Sequence, residues 1–134
     1  MNVRLKDVAL FIFCPLLLGS LIYVFCRTTT IYFVDWLAQV LPGISSIQLN
    51  VPYWIIYHLP DGLWAFAFSS ASMIIWNWEI NKENGLWHSL PLLSALLLEL
   101  NYGTFDPGDL LFILSGALLP LALCQIMLSK PQRI

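Results

Sequence analysis

Three carboxylates, Glu99, Asp106 and Asp109, fall within eleven residues of a chain in which only 10% of residues are charged. The stretch from Glu99 to Leu111 reads ELNYGTFDPGDLL, with an apolar run on either side. Acids at that density can act as acid or base, orient a polar ligand, or hold a hard cation such as calcium, magnesium or manganese. Glu99, Asp106 and Asp109 are the candidate catalytic residues on that chemistry. Asp106-Pro107-Gly108-Asp109 also has a plainer reading as turn and cap chemistry, since Asp, Pro and Gly each favour tight turns. Glu99 follows a leucine run and ends a helix, where the helix dipole disfavours negative charge. An ionisable residue at such depth is by default a candidate functional residue, the plainer reading being a snorkelling helix end. His58 could serve as a ligand or base beside Asp61, or it could be the polar tip of an interfacial aromatic group. The candidate binding set is Asp61, Glu99, Asp106, Asp109, His58 and Thr104. No cofactor or metal is expected. There is no Ser-His-Asp pattern, no phosphate-cradling glycine loop and no nucleophile elbow.

The elements that must carry these residues follow from composition. Apolar residues make up 59% of the 134, and the mean hydropathy is +0.77. A soluble domain carries about a quarter charged residues. The sequence therefore predicts an all-α integral membrane protein forming one domain, 1–134. Four transmembrane helices are expected, at about 8–25, 61–78, 86–100 and 109–128. An amphipathic helix at about 31–41, capped by Thr28, Thr29 or Thr30, should lie at the interface between the first two. Arg4 and Lys6 ahead of an apolar run mimic a secretory signal. The run is about long enough to span a bilayer, so it reads as a true first helix.

Tyr53 to Tyr57 should form an aromatic shelf, and Asp61 should cap the second helix after Pro60 breaks the chain. Ser69, Ser70, Ala71 and Ser72 are small enough for close helix packing, as is Gly116. Trp76 and Trp78 should form an aromatic belt at the far end, with His88 on that same side. Cys14, Cys26 and Cys124 show no ligand spacing and read as buried apolar side chains. With four spans both termini share a face. Placing that face in the cytoplasm puts Arg4, Lys6, Lys82, Lys130 and Arg133 inside and only Arg27 outside. The acids then gather at the extracytoplasmic end. The net charge of −2 and the lack of a basic run exclude a nucleic-acid partner.

LLLEL, then GTFDPGDLL, then SGALLPL, resembles the closing half of VanZ-like membrane proteins. LPDGLWAFAF resembles the opening of their second helix. The resemblance covers about 59–121, with Asp61, Glu99, Asp106, Asp109 and Gly116 on matching positions. Asn101, Tyr102 and Gly103 stand where a Gln is usual, Gly103-Thr104 where an Arg is, Ile113 for an Asn and Ala65 for a His. The resemblance implies a multi-pass protein of the bacterial cytoplasmic (inner) membrane, concerned with the cell envelope. The expected function is a binding or accessory subunit, with catalysis second. Its expected partners are membrane lipid and either a lipid-linked envelope ligand or a larger membrane protein complex. The alternative is a membrane enzyme acting on lipid headgroups or envelope intermediates through Glu99 and Asp106/Asp109. Glu99 is expected to hydrogen-bond to the turn before the fourth span.

Overall fold

The computed structural model describes residues 5–26, 36, 39–40, 51–102 and 106–129, without the side chains of 91, 98–102 and 126–129. Among these residues every regular element is helical. The elements are α1 (Leu5–Cys26), α2 (Tyr53–Tyr57), α3 (Leu59–Ile75), α4 (Gly85–Tyr102) and α5 (Pro107–Ser129). Two helices, Leu5–Cys26 and Pro107–Gln125, are long and apolar enough to cross a membrane. The interfacial helix expected at 31–41 and its threonine caps lie outside the described residues, apart from Trp36, Gln39 and Val40, which are helical.

α1 opens with one α-turn, widens to a π-helix over Ala9–Phe13, and continues as α-helix from Cys14. The widening has a local cause. Pro15 has no N–H to offer the carbonyl four residues back, and its ring crowds that carbonyl. The turn before it therefore closes one residue longer, with the Cys14 N–H donating to the Ala9 carbonyl.

α3 is the hub of the bundle. Its small-residue face packs most extensively against α5, which runs parallel to it. At the crossing a Cβ on Gly116 would overlap the carbonyl oxygen of Gly62, and one on Gly62 would fall 2.9 Å from the carbonyl oxygen of Phe112. Only glycine permits so close an approach of two backbones. The Ser69 hydroxyl donates to the Ala117 carbonyl at 2.8 Å, which satisfies it inside the contact. Ser70, the next residue, is fully buried as well.

α1 runs antiparallel to α3. Phe11 packs edge-on against Trp78, with centroids 5.5 Å apart, near one end. Tyr23 stacks on Trp64 at 5.5 Å near the other. α4 also returns antiparallel, placing Leu92 and Ala95 against Ala65, Ile113 and Ala117.

α3 ends in a Schellman motif. Trp78 N–H donates to the Met73 carbonyl at 2.7 Å and Asn77 N–H to the Ile74 carbonyl at 3.1 Å. Asn77 carries the left-handed conformation, with φ 52°, that such a cap needs. Trp78 follows at φ 61° and folds back onto Met73, Ile74 and Cys124. This corrects the belt expectation for Trp78, which is buried, while Trp76 stays exposed. The cysteine expectation holds for Cys124 only, whose thiol donates to the Trp78 carbonyl at 2.8 Å. Cys14 is exposed on α1 and Cys26 is half-buried.

Candidate functional site

The polar end of the bundle is built where α5 begins. Asp106 precedes Pro107, and proline is pre-set for the first helical position because its missing N–H would have no partner there. The Asp106 carboxylate accepts the Gly108 N–H at 2.8 Å, and its carbonyl accepts the Leu110 N–H at 3.2 Å. Asp106 is thus the N-cap, and the helix starts two residues before the expected boundary at 109. Asp109 occupies the third helical position, from which an acid can reach back to the cap. Here it turns toward the start of α3 and accepts the Nδ1–H of His58 at 2.6 Å.

His58 is the single residue between α2 and α3. Pro60 cannot donate a backbone hydrogen bond, so a continuous helix through this point would leave a carbonyl unpaired. The chain steps at His58, with φ −100°. Its N–H still bonds to the Trp54 carbonyl at 3.1 Å and its carbonyl to the Gly62 N–H at 3.3 Å. The imidazole is 11% exposed. Tyr53 meets it edge-on at 5.3 Å and Phe112 lies against it at 5.9 Å. The remaining side is the backbone of Gly108, where a Cβ would fall 2.7 Å from both Cε1 and Nε2. The glycine in DPGD therefore makes room for the ring. Nδ1 donates to a carboxylate, so the ring orientation is set by Asp109.

His58, Asp106 and Asp109 each offer a donor atom to one group, all within 4.8 Å of one another. This corrects two expectations. His58 is no interfacial tip, since it is buried and paired. It also pairs with Asp109 rather than Asp61, although Asp61 stands three residues away in sequence. Asp61 does not cap α3: His58 is the N-cap residue and Asp61 lies in the first turn. The side chain of Glu99, on the last turns of α4, and the whole of Thr104 lie outside the described residues. The pairing of His58 with Asp109 spans 51 positions. Its one sequence signal is the glycine between two acids at a helix start.

A second polar group sits at the opposite end and is structural. The Ser72 hydroxyl donates to Nδ1 of His88 at 3.0 Å, and Nε2 of His88 donates to the Glu79 carbonyl at 3.2 Å. The Asn84 amide donates to the same carbonyl at 2.8 Å, and Asn81 and Asn84 close the turn between them. His88 is therefore on the side expected of it, apart from the acids. Between α3 and α4 an open apolar groove of about 750 Å³ is lined by Phe68, Ile75, Trp76, Trp87 and Leu90, among others.

Comparison with known proteins returns no match: no family model fits the chain, and no curated protein or solved structure is significantly similar to it. The functional reading therefore rests on the site itself. A buried imidazole oriented by one carboxylate and adjoined by a second can accept a proton, bind the polar end of a ligand, or ligate a cation.

Proposed function

We propose that the chain is a small four-span membrane protein of the VanZ-like kind. In this reading both termini are cytoplasmic and the His58–Asp106–Asp109 end faces the extracytoplasmic side of a bacterial inner membrane. It acts there as a binding or accessory subunit for an amphipathic envelope ligand, a lipid-linked precursor or a partner membrane protein. One observation carries the reading. Only 11% of the Leu5–Cys26 window and 22% of the Pro107–Gln125 window is buried inside the protein. The core helix of a soluble protein would be mostly buried. Here Leu10, Phe13, Leu17, Leu111 and Leu118 face outward, and the polar group sits at one end of that apolar wall. A ligand with an apolar body and a polar head matches both surfaces.

The test is native mass spectrometry of protein extracted gently from its own membrane. The reading expects a bound lipid-like species or a larger membrane complex. A bare monomer would refute it.

The enzyme alternative gains support from the 2.6 Å contact between His58 and Asp109, because a carboxylate that orients an imidazole is a recurrent way to position a base. In that reading Asp106/Asp109, with Glu99, act on a lipid headgroup. Turnover of labelled envelope lipids by the purified protein, lost in Asp109→Asn, would favour it over the binding role.

A further inference from the structure

We propose that His58, Asp106 and Asp109 hold one divalent transition-metal ion, of which Zn²⁺ is the representative probe. The inference deepens the binding role proposed above and rests on that reading of this end of the bundle.

The donor set comes first. One imidazole nitrogen and two carboxylates converge from two separate elements, the step before α3 and the first turn of α5, with donor atoms within 4.8 Å. An imidazole among the donors selects zinc and its neighbours over calcium or magnesium, which favour all-oxygen sites. No thiol belongs to the group.

The charges agree. The N-terminus of α5 carries about half a positive charge, which repels a cation. Two carboxylates placed within its first turn outweigh that by roughly fourfold.

The geometry needs little change. The Nδ1–H of His58 donates to Oδ1 of Asp109 at 2.6 Å. An ion taking both would release that proton to solvent. Bond lengths of about 2.0–2.2 Å at a tetrahedral ion would then spread the pair to roughly 3.3–3.6 Å. Asp106 already spends one oxygen on the Gly108 N–H, but a carboxylate has about four lone-pair sites and can cap and ligate together.

The surroundings also fit. Tyr53 and Phe112 wall the ring, and Trp54 stacks on Phe112 at 6.1 Å. Such an apolar shell limits solvent around a metal site. Three protein donors leave at least one position open, which an oxygen of the ligand's polar end would fill.

The experiment uses tag-free, full-length protein in detergent, stripped with a chelator and titrated with Zn²⁺ by calorimetry. One ion per chain is expected. Asp106→Asn and Asp109→Asn should each weaken it by about tenfold or more, and Mg²⁺ and Ca²⁺ should compete poorly. X-ray absorption should report nitrogen and oxygen neighbours, including imidazole, and no sulfur. The proposal is overturned by the absence of saturable binding below about 0.1 mM. It is also overturned by binding that survives the double Asp106→Asn/Asp109→Asn change, or by sulfur neighbours. Thermal unfolding of the stripped variants runs alongside; if one fails to fold, the absorption spectrum of the unaltered protein decides. Native mass spectrometry of the stripped protein separates the two readings. Retained lipid without Zn²⁺ binding sinks the ion and leaves the binding role. Zn²⁺ bound in a protein that never carries lipid or a partner sinks the role and leaves the ion.

Discussion

Replacing Gly108 with alanine presses on the imidazole of His58 without removing any of its partners. The new Cβ would stand 2.7 Å from Cε1 and Nε2 and 3.0 Å from Nδ1. Carbon contacts settle at about 3.5 Å, so the ring must retreat by roughly 0.8 Å. It lies between Tyr53, Phe112 and the first turn of α5, and its bond to Asp109 is only 2.6 Å long. Retreat breaks that bond. A hydrogen bond to a charged group is worth about 1.5–3 kcal/mol. Alanine in place of a helical glycine returns roughly 0.5–1 kcal/mol. The net expectation is a loss of about 1–2 kcal/mol, or several degrees in unfolding temperature. Gly85→Ala is the control, because a Cβ there meets nothing within 4 Å. Thermal unfolding in detergent gives the stability. Carbethoxylation of histidines, read by peptide mass spectrometry, gives the exposure of His58 against His88 as internal reference. Gly108→Ala should unfold earlier and label faster at His58 than either Gly85→Ala or the unaltered protein. If the two alanine variants behave alike in both measurements, the ring is not wedged against Gly108 and the site geometry is wrong.

Other expectations concern the helix contacts and the acids. Gly116→Ala should cost about 1–3 kcal/mol in thermal unfolding, because its Cβ overlaps the Gly62 carbonyl and the two helices must part; an unchanged midpoint would deny the close crossing. Asp109→Asn keeps an acceptor for His58 and should be mild, whereas Asp109→Leu strands a buried imidazole N–H at about 1–3 kcal/mol. Equal unfolding temperatures for the Asp109 pair would show that the contact carries no weight. Glu99→Gln should preserve the fold and Glu99→Leu should lower expression and stability. If both are silent in stability and in function, Glu99 is an unimportant helix end.

The helical class and the rough positions of the long helices were legible because long apolar runs separated by Pro, Gly and charge clusters are a strong signal. The details that failed are ones in which a short-range rule met a longer-range constraint. Pro107 and Gly108 read as turn residues, yet proline is also a helix starter, so three of the four expected turn positions, Pro107 to Asp109, are the first residues of the helix. Asp61 was expected as a cap because it follows a proline. Pro60 sits inside the first turn instead, and α3 begins at Leu59. Trp78 carries no sign of its fate, since the left-handed residues that turn it inward are Asn77 and Trp78 itself rather than a glycine. The small serines of α3 were readable as a packing face, but not which carbonyl Ser69 would find. The association of His58 with Asp109 had no local trace beyond the glycine of DPGD, because residues 51 apart meet only once α3 and α5 lie side by side.

That parallel pairing has a consequence for how the protein is made. α5 is joined to α3 and the residues flanking it at three levels: His58 to Asp109, Ser69 to Ala117, and Trp78 to Cys124. In each case the second residue is synthesised 51, 48 or 46 positions after the first. At about 5–20 residues per second, the serine-bearing face of α3 waits roughly 2–10 s on the ribosome for its partner. During that interval α4 is the nearest helix to hand, and it too packs on α3. α4 is thus complete before the seam between α3 and α5 can close. A chain cut after Tyr102 should remain bound to a chaperone or insertase, and supplying α5 as a separate segment should release it.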